Sequence, residues 1–587
     1  MNLWAVLIFL KTAPANIWVF GDSVLAAFSL DVLGSGTEIN TNMGQRGVDS
    51  LGNLSGTRII RMGGIASEYY AWDENNFLGR TYFDWFDTTI VINHTWGVDQ
   101  FIAFCKSVGA EPLLLVNTQL NDPGYAANFV EYCNGDTNTY YGWIRSARGH
   151  PEPYNVRYWG LGNEQDIAGN YFPLWGTTFY RHFGIPFSEW SSLDSSYVDP
   201  VSYAQLVREY SDAMRAASPI PIEIVAPSLA GNLAWLRTVL TESADRIDWV
   251  DIHQYPVWGE IPYDQILAAP DTGTVWSPSV DEYIANARDS IRAFGGGRPI
   301  KLLLGEFNSG IDLDTPIDMF WWNYLVGLYY ADVIGHLLNA GLPAACVYSI
   351  YNNTGGLPEF NYIRDDTVSM RATGWVMKLI VDHPGDSVIK AVSDKPDPGR
   401  GIEPFAWRGT DGEGIYVLVI NQNPDTAYET VVRFSYLVNH SKTYEAWQIT
   451  NDTTLAAPFN GTTGIEYLGK NPCGYDTLVH IFPPYSVTLL RMESSTRVSE
   501  KPLRPRLFLS AAPVPSKGLV SITYSVSSPC YLRIIALDVS GRVADELFEG
   551  EAKPGRFSFD WKPQRPGVYY IQVKSGEESV TRKAVFI

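Results

Sequence analysis

Two glutamates stand where their side chains could share acid–base work. Glu164 lies in GLGNEQD and Glu306 in LLLGEFNSG, and each follows a short apolar run. A pair of carboxyls can divide labour, one protonated and one ionised, when their surroundings push their proton affinities apart. Glycosidic-bond hydrolysis requires such a pair: one group protonates the leaving oxygen and the other attacks the anomeric carbon. Asn163, directly before Glu164, is suited to bind a sugar hydroxyl beside the cleaved bond. A lone glutamate at a strand end is more often a surface or helix-capping carboxylate. That reading weakens here, because both glutamates end independently recognised strands and each has polar company.

The elements that must position them alternate along the chain. Strand-like runs occur at Asn16–Gly21, Arg58–Met62, Pro112–Asn117, Val156–Gly162, Ile222–Ala226, Trp249–His253, Ile300–Gly305 and Cys346–Ile350. Helix-length segments lie between them, including Val98–Val108, Tyr203–Ala217, Val280–Phe294 and Tyr324–Ala340. Continuous apolar strands separated by helices imply a parallel sheet buried on both faces. Eight such units fit an α/β TIM barrel, (β/α)8, whose strands deliver catalytic groups to one C-terminal mouth. A doubly wound sheet would offer a glycine-rich phosphate turn after an early strand, and none is present.

From about residue 385 helical periodicity disappears. Ile415–Asn421, Thr430–Phe434 and Ser486–Arg491 read as strands of an antiparallel β-sandwich packed on the barrel. The expected organisation is a signal peptide over 1–15, a barrel over 16–380, a sandwich over 381–495, a linker over 496–506 and a small Ig-like module over 507–587. The signal reading rests on the apolar run Leu3–Leu10 and on Ala13-Pro14-Ala15, which has the form of a cleavage site. No Lys or Arg precedes the run, and the alternative is a buried first strand.

Composition narrows the function classes. The chain of 587 residues carries 43 Lys plus Arg against 64 Asp plus Glu, a net charge of −21, which repels phosphate backbones and speaks against nucleic-acid binding. No segment has the length of apolar sequence that a membrane span needs. The 5 cysteines are scattered, without a CxxC pair, and the histidines form no HxxxH pair, so no metal site is expected. Aromatics are plentiful, with 19 Trp, 34 Tyr and 26 Phe, and Trp and Tyr often line sugar-stacking clefts.

The stretch Asn128–Asp166, NFVEYCNGDTNTYYGWIRSARGHPEPYNVRYWGLGNEQD, resembles the corresponding stretch of family 51 glycoside hydrolases, the α-L-arabinofuranosidases of clan A. The resemblance covers roughly residues 55–350 in pattern. It implies a retaining hydrolase with the acid/base on strand four and the nucleophile on strand seven. Carried onto this sequence, Glu164 is the acid/base, Asn163 a substrate-hydroxyl ligand and Glu306 the nucleophile. His253 and Tyr255, in DIHQYP, match a His-x-Tyr at strand six, where the Tyr hydroxyl bonds the nucleophile and the His lies near the acid/base. Arg61 resembles a strand-two arginine that supports the nucleophile, with a plain salt bridge as the alternative. Asn117, ending strand three, is expected to bound the same pocket. No organic cofactor is implied, because two carboxylates suffice.

Three departures alter the pocket. The family usually shows Arg-x-Pro-Gly-Gly-Asn at strand two; here the text is RMGGIASEYYAWDE, without the Pro and with Ile65 in place of the Asn. Phe307 follows Glu306 where the family usually has Trp. The loop Asp166–Val198 is long and aromatic. Trp175 and Trp190 within it are candidates for a stacking platform beyond the cleavage point, though packing of the loop accounts for most of its aromatics. The last module, with SITYSVSSPCYLRIIALDVSGRVADEL and PGVYYIQVKSG, resembles C-terminal sorting or Ig-like domains of bacterial secreted proteins, which implies export.

The expectation is therefore a secreted, retaining hydrolase that cleaves α-L-arabinofuranosyl residues from a polysaccharide or oligosaccharide, with no nucleic-acid partner, no membrane span and an open oligomeric state. A β-glycanase or β-xylosidase of the same clan and a non-catalytic carbohydrate-binding barrel remain as alternatives.

Overall fold

The computed structural model describes residues 11–38, 48–81, 92–118, 122–167, 199–257, 261–310, 324–351, 362–363, 369–410, 414–435, 440–450, 464–494 and, with short interruptions, 507–586. Its centre is a closed barrel of eight parallel strands: Gly34–Glu38, Ile59–Gly63, Glu111–Val116, Tyr158–Leu161, Glu223–Leu229, Trp249–Gln254, Lys301–Phe307 and Ala344–Tyr348, the eighth pairing with the first. Seven of these coincide with the strand-like runs of the sequence. The helices Val98–Val108 and Val280–Phe294 match to the residue, and Pro200–Ala217 and Leu325–Asn339 nearly so. Ser279 caps the helix Val280–Phe294, and Gly109, in the left-handed region, ends Val98–Val108.

The first barrel strand is a correction. It is GSGTE, Gly34–Glu38, and not Asn16–Gly21. Gly34 is pressed between its neighbours: a Cβ there would stand 2.5 Å from the Ala345 carbonyl and 3.0 Å from that of Ile59. A strand so closely approached excludes the β-branched and aromatic residues that make a strand legible. Asn16–Gly21 instead belongs to a long strand, Lys11–Ala27, outside the barrel. That strand runs antiparallel to Gly385–Ser393 and parallel to Thr426–Ser435. Ala13-Pro14-Ala15 pairs there with Tyr428-Glu429-Thr430, and Ala15 is buried. The barrel thus begins near residue 34, and residues 11–27 belong with the sheet that follows it.

That sheet has nine strands, in the order Glu466–Pro472, His440–Ile449, Ser486–Ser494, Gly414–Asn421, Ile402–Gly409, Gly385–Ser393, Lys11–Ala27, Thr426–Ser435 and Thr477–Phe482. One parallel pair makes it mixed, where an antiparallel sandwich was expected. Gly414–Asn421 shows how it is held. Tyr416, Leu418 and Ile420 pack into the core around the barrel helices, while Ile415, Val417 and Val419 pack into a second core enclosed by the sheet itself. The strand is buried on both faces, so its apolar run is continuous.

Compact unit two spans residues 496–587, against 1–495 for unit one. It holds a sheet of three strands (Leu507–Ala512, Val520–Val526, Gly555–Trp561) and one of four (Val543–Ala552, Cys530–Leu537, Gly567–Ser575, Glu578–Phe586) around one core that includes Ile522, Ile534 and Ile571. The expected linker, 496–506, lies outside the described residues. Among the described residues, no helix is long and apolar enough to cross a membrane.

Candidate active site

The barrel interior is filled at its base by Ile59, Leu113, Leu115, Val225, Trp249 and Leu303. Side chains two residues further along a strand face the same way, so Arg61 follows Ile59 inward, and Asp251 and His253 follow Trp249. On strand seven the pairing register with strand six shifts after Ile252, which brings Glu306 opposite His253. This irregularity at Gly305 re-aims the strand end, as bulges at barrel rims do. Glu164 lies three residues past strand four, with φ at +48°, a left-handed conformation that glutamate rarely adopts. Its neighbours hold that conformation in place, as functional sites often do.

The side chains converge on the mouth. Arg61 Nη1 donates to Glu306 Oε1 at 2.7 Å, and the Tyr255 hydroxyl donates to Glu306 Oε2 at 2.9 Å. His253 Nδ1 donates to Glu164 Oε1 at 2.9 Å and lies 3.7 Å from Glu306 Oε2. One oxygen of Glu164, one of Glu306 and a ring nitrogen of His253 all lie within 4.8 Å of one another. Arg61 Nη2 donates to Asn163 Oδ1 at 2.7 Å, which ties the residue before Glu164 to the residue that holds Glu306. Six sequence-derived candidates thus meet in one site. Asn117, the seventh, is buried at the end of strand three, and its amide donates to the Tyr70 carbonyl at 3.4 Å. Trp175 and Trp190 lie outside the described residues, as does the side chain of Ile65.

Three further groups complete the arrangement. Asp251 sits beneath the pair, accepting from Gly305 N at 2.8 Å and from Ser228 Oγ at 2.9 Å, with Arg61 Nε at 3.3 Å. Burial pushes its carboxyl up, but the charges of His253 and Arg61 and the bonds from His253 and Ser228 prevail and hold it below the usual range. Burial alone would push His253 down. The charges of Glu306 and Asp251, with hydrogen bonds to Asp251 and Glu164, instead lift it to about 10. The alternation in WVDIHQ was the signal for Asp251, since it shares a face with His253.

Glu38, ending strand one, accepts from the Tyr348 hydroxyl at 2.7 Å, while its Oε2 is buried without a hydrogen bond. Burial pushes it up to about 8, opposed by the Tyr348 bond and reinforced by the charge of Glu306. It was missed because its strand was missed. Glu68 staples three loops: it accepts from Asn163 N at 2.7 Å, from Thr118 N at 3.0 Å, from Thr118 Oγ1 at 2.9 Å and from the Gln165 amide. It therefore holds the residues on both sides of Glu164, Asn163 by its backbone and Gln165 by its side chain. Nothing in its local sequence, ASEYY, announces that role.

With this geometry in view, comparison with known proteins is informative. Residues 57–261 match the family model described as an alpha-L-arabinofuranosidase 1 domain. Alpha-L-arabinofuranosidase C of Emericella nidulans is 30% identical over 172 residues, which cover 27% of this chain and 29% of that protein. The intracellular exo-alpha-(1->5)-L-arabinofuranosidase of Halalkalibacterium halodurans is 27% identical over 164 residues, covering 27% of this chain and 28% of that protein. The match thus spans less than a third of the length of these relatives. Among solved structures, the alpha-L-arabinofuranosidase of Thermotoga maritima is similar with a TM-score of 0.65 and 20% identity, over 82% of this chain and 100% of that one. A family 44 xyloglucanase of Paenibacillus polymyxa is similar with a TM-score of 0.59 and 14% identity, over the same shares. At these identities the structural likeness is one of fold: a closed (β/α)8 barrel with a large β-sheet domain.

Proposed function

We propose that this protein is a retaining glycoside hydrolase that removes terminal α-L-arabinofuranosyl residues from oligosaccharides or polysaccharides. One observation carries the reading: Glu164 and Glu306 approach within 4.8 Å at the barrel mouth, joined through His253. Carboxyls about 5–5.5 Å apart support direct attack by one of them, whereas an inverting pair leaves room for water at about 6.5–9.5 Å. The sugar follows from the matched family model and relatives, whose names specify arabinofuranosidases.

In this mechanism Glu306 attacks the anomeric carbon while Glu164 gives its proton to the departing glycosidic oxygen. The C–O bond to the leaving group breaks as the ester bond to Glu306 forms. Glu164 then takes a proton from water, the water oxygen attacks the anomeric carbon, and Glu306 departs as carboxylate with configuration retained. Arg61 and Tyr255 each occupy one oxygen of Glu306 and fix its plane. His253 holds Glu164 in place. Asn163, anchored by Arg61, faces the sugar beside the cleaved bond. The chemistry needs no metal or organic cofactor, because two carboxyls supply both steps.

A second reading keeps the mechanism and changes the sugar to a β-glycan. It is favoured by Ile65 in place of the family's Asn and by the shared fold with a xyloglucanase. A panel of aryl glycosides separates the readings, with 4-nitrophenyl α-L-arabinofuranoside as the expected substrate. Glu306→Ala is expected to be inert on every member. Glu164→Ala is expected to lose about 10²–10⁴-fold on poor leaving groups, retain the first step on dinitrophenyl glycosides, and form a glycosyl azide of retained configuration when azide is added. Equal responses of the two variants to leaving group and azide would overturn the roles. Cleavage of β-xylosides or β-glucans alone would overturn the sugar.

A further inference from the structure

A second cluster of titratable groups lies away from the barrel mouth, where the helix layer meets the nine-stranded sheet. Asp332 and His336 stand one turn apart on the helix Leu325–Asn339. Asp271 comes from the helix Tyr263–Thr272 and Glu403 from the sheet strand Ile402–Gly409. We propose that these four residues form a binding site for one divalent transition-metal ion of the zinc class, which fastens the sheet to the barrel.

The donor geometry fits such an ion. One ligand atom from each of the four lies within 4.8 Å of all the others. His336 Nε2 is 3.2 Å from Asp271 Oδ1, 3.6 Å from Asp332 Oδ1 and 3.9 Å from Glu403 Oε1. Tetrahedral ligands about 2.0–2.2 Å from a zinc ion are separated by edges of about 3.3–3.6 Å. These atoms therefore need only small rotamer shifts to enclose one.

Two further observations point to a ligand, beyond the grouping itself. Asp332 is fully buried, and no hydrogen bond reaches its Oδ1. Its other oxygen is already committed, accepting from the Gln422 amide at 2.9 Å, so Oδ1 is aimed into the cluster. On the far side of the ring, Asp281 Oδ2 lies 3.2 Å from His336 Nδ1. That is the outer carboxylate that orients a metal-bound imidazole and raises its basicity.

Charge argues the same way. Among the described residues, neither lysine nor arginine forms an ion pair with any of the four carboxylates. Asp271 and Glu403 are partly exposed, which gives an ion access from solvent. The cluster escaped the search for HxxxH because its helical pair is Asp-x-x-x-His.

The test uses the full chain, stripped with a chelator and offered ZnCl2, MnCl2 or CaCl2 separately. Metal retained after gel filtration is measured by mass spectrometry, and the thermal midpoint is followed in parallel. The wild type is expected to retain Zn2+ at this site and to gain about 3 °C or more at saturating metal. Asp332→Asn and His336→Gln are expected to retain one equivalent fewer and to lose the shift. Glu403→Gln, at a partly exposed position, repeats the test if a buried variant does not fold. No retained zinc in the wild type would overturn the proposal. So would the same stoichiometry in the variants, which would place the ion elsewhere, such as at Glu164, His253 and Glu306. Retention of Ca2+ to the exclusion of Zn2+ would overturn the choice of a nitrogen-ligated ion.

Discussion

Replacing Asp251 by Asn isolates the charge that governs His253. The imidazole is enclosed by Glu164 and Glu306 in front and by Asp251 behind, with Arg61 Nη2 3.3 Å from its Nε2. Two cations therefore share three carboxylates. The carboxylates prevail, lifting His253 from 6.5 to about 10. At 1.36 kcal/mol per unit, that shift is worth about 5 kcal/mol in favour of the protonated native state. Its sign follows from linkage. The folded value lies above the unfolded one, so the stabilisation is complete below about pH 6.5 and is lost progressively as pH rises towards 10.

Asn at 251 retains the shape but removes one of the two charges, besides weakening one of the hydrogen bonds, that raise His253. A drop of roughly one to two units follows from the loss of a neighbouring opposite charge. With only 8 histidines in the chain, carbon-13 labelling of their ring Cε1 positions resolves the titration, and His253→Gln identifies the signal by its disappearance. The wild-type signal is expected to stay protonated past pH 9, and that of Asp251→Asn to titrate about one to two units lower. Glu38, at about 8, titrates in the same window, so both are measured in a Glu38→Gln background as well. A wild-type midpoint near 6.5 would refute the argument, because Arg61 would then have cancelled the carboxylates. Equal midpoints in wild type and Asp251→Asn would refute the part assigned to Asp251.

Three further outcomes follow from the same geometry. Arg61→Met leaves Glu306 and Asp251 buried with one of their two cations removed, and is expected to cost about 3–5 kcal/mol, read as a lower urea midpoint together with loss of turnover. Gly305→Ala would drive a methyl into the Asp251 carboxylate, so turnover is expected to fall by at least about tenfold while the far-UV circular dichroism is unchanged; full activity would mean that Asp251 yields freely. Truncation after residue 495, at the boundary between the compact units, is expected to leave kcat/KM on a small aryl glycoside within about twofold, and insoluble or inactive protein would place the boundary elsewhere.

How much of this was legible depended on which physical signal each residue leaves in the sequence. The helix Val280–Phe294 repeats its apolar residues at helical spacing and was readable to its ends. Glu164, Glu306, His253 and Tyr255 were readable because they end apolar strands, and a barrel turns strand ends to one mouth. Asn16–Gly21 misled because its aromatic and branched residues look like a strand buried on both faces. In the structure Ile17 and Val19 are buried while Trp18 and Phe20 are half-buried, the alternation of a sheet with unequal faces. The true first strand was illegible for the opposite reason, since its glycines serve close backbone approach and leave no hydrophobic trace.

The same contrast explains which site residues were found. A residue that acts at the end of its own strand can be inferred from that strand, as Glu306 was. A residue that acts by joining loops distant in sequence leaves no local mark. Glu68 is the clearest case: its four donors come from Asn163, Thr118 and Gln165, and only closure of the barrel brings them to it. Asp251 lies between these extremes. Once His253 is accepted as facing inward, the period of two along strand six places Asp251 on the same face, and a buried aspartate below a histidine implies a cation to match it. Arg61 is that cation, reaching Asp251, Glu306 and Asn163 with three different nitrogens. The arginine therefore couples both catalytic segments, and the salt bridge entertained as an alternative to its functional role is the means by which that role is carried out.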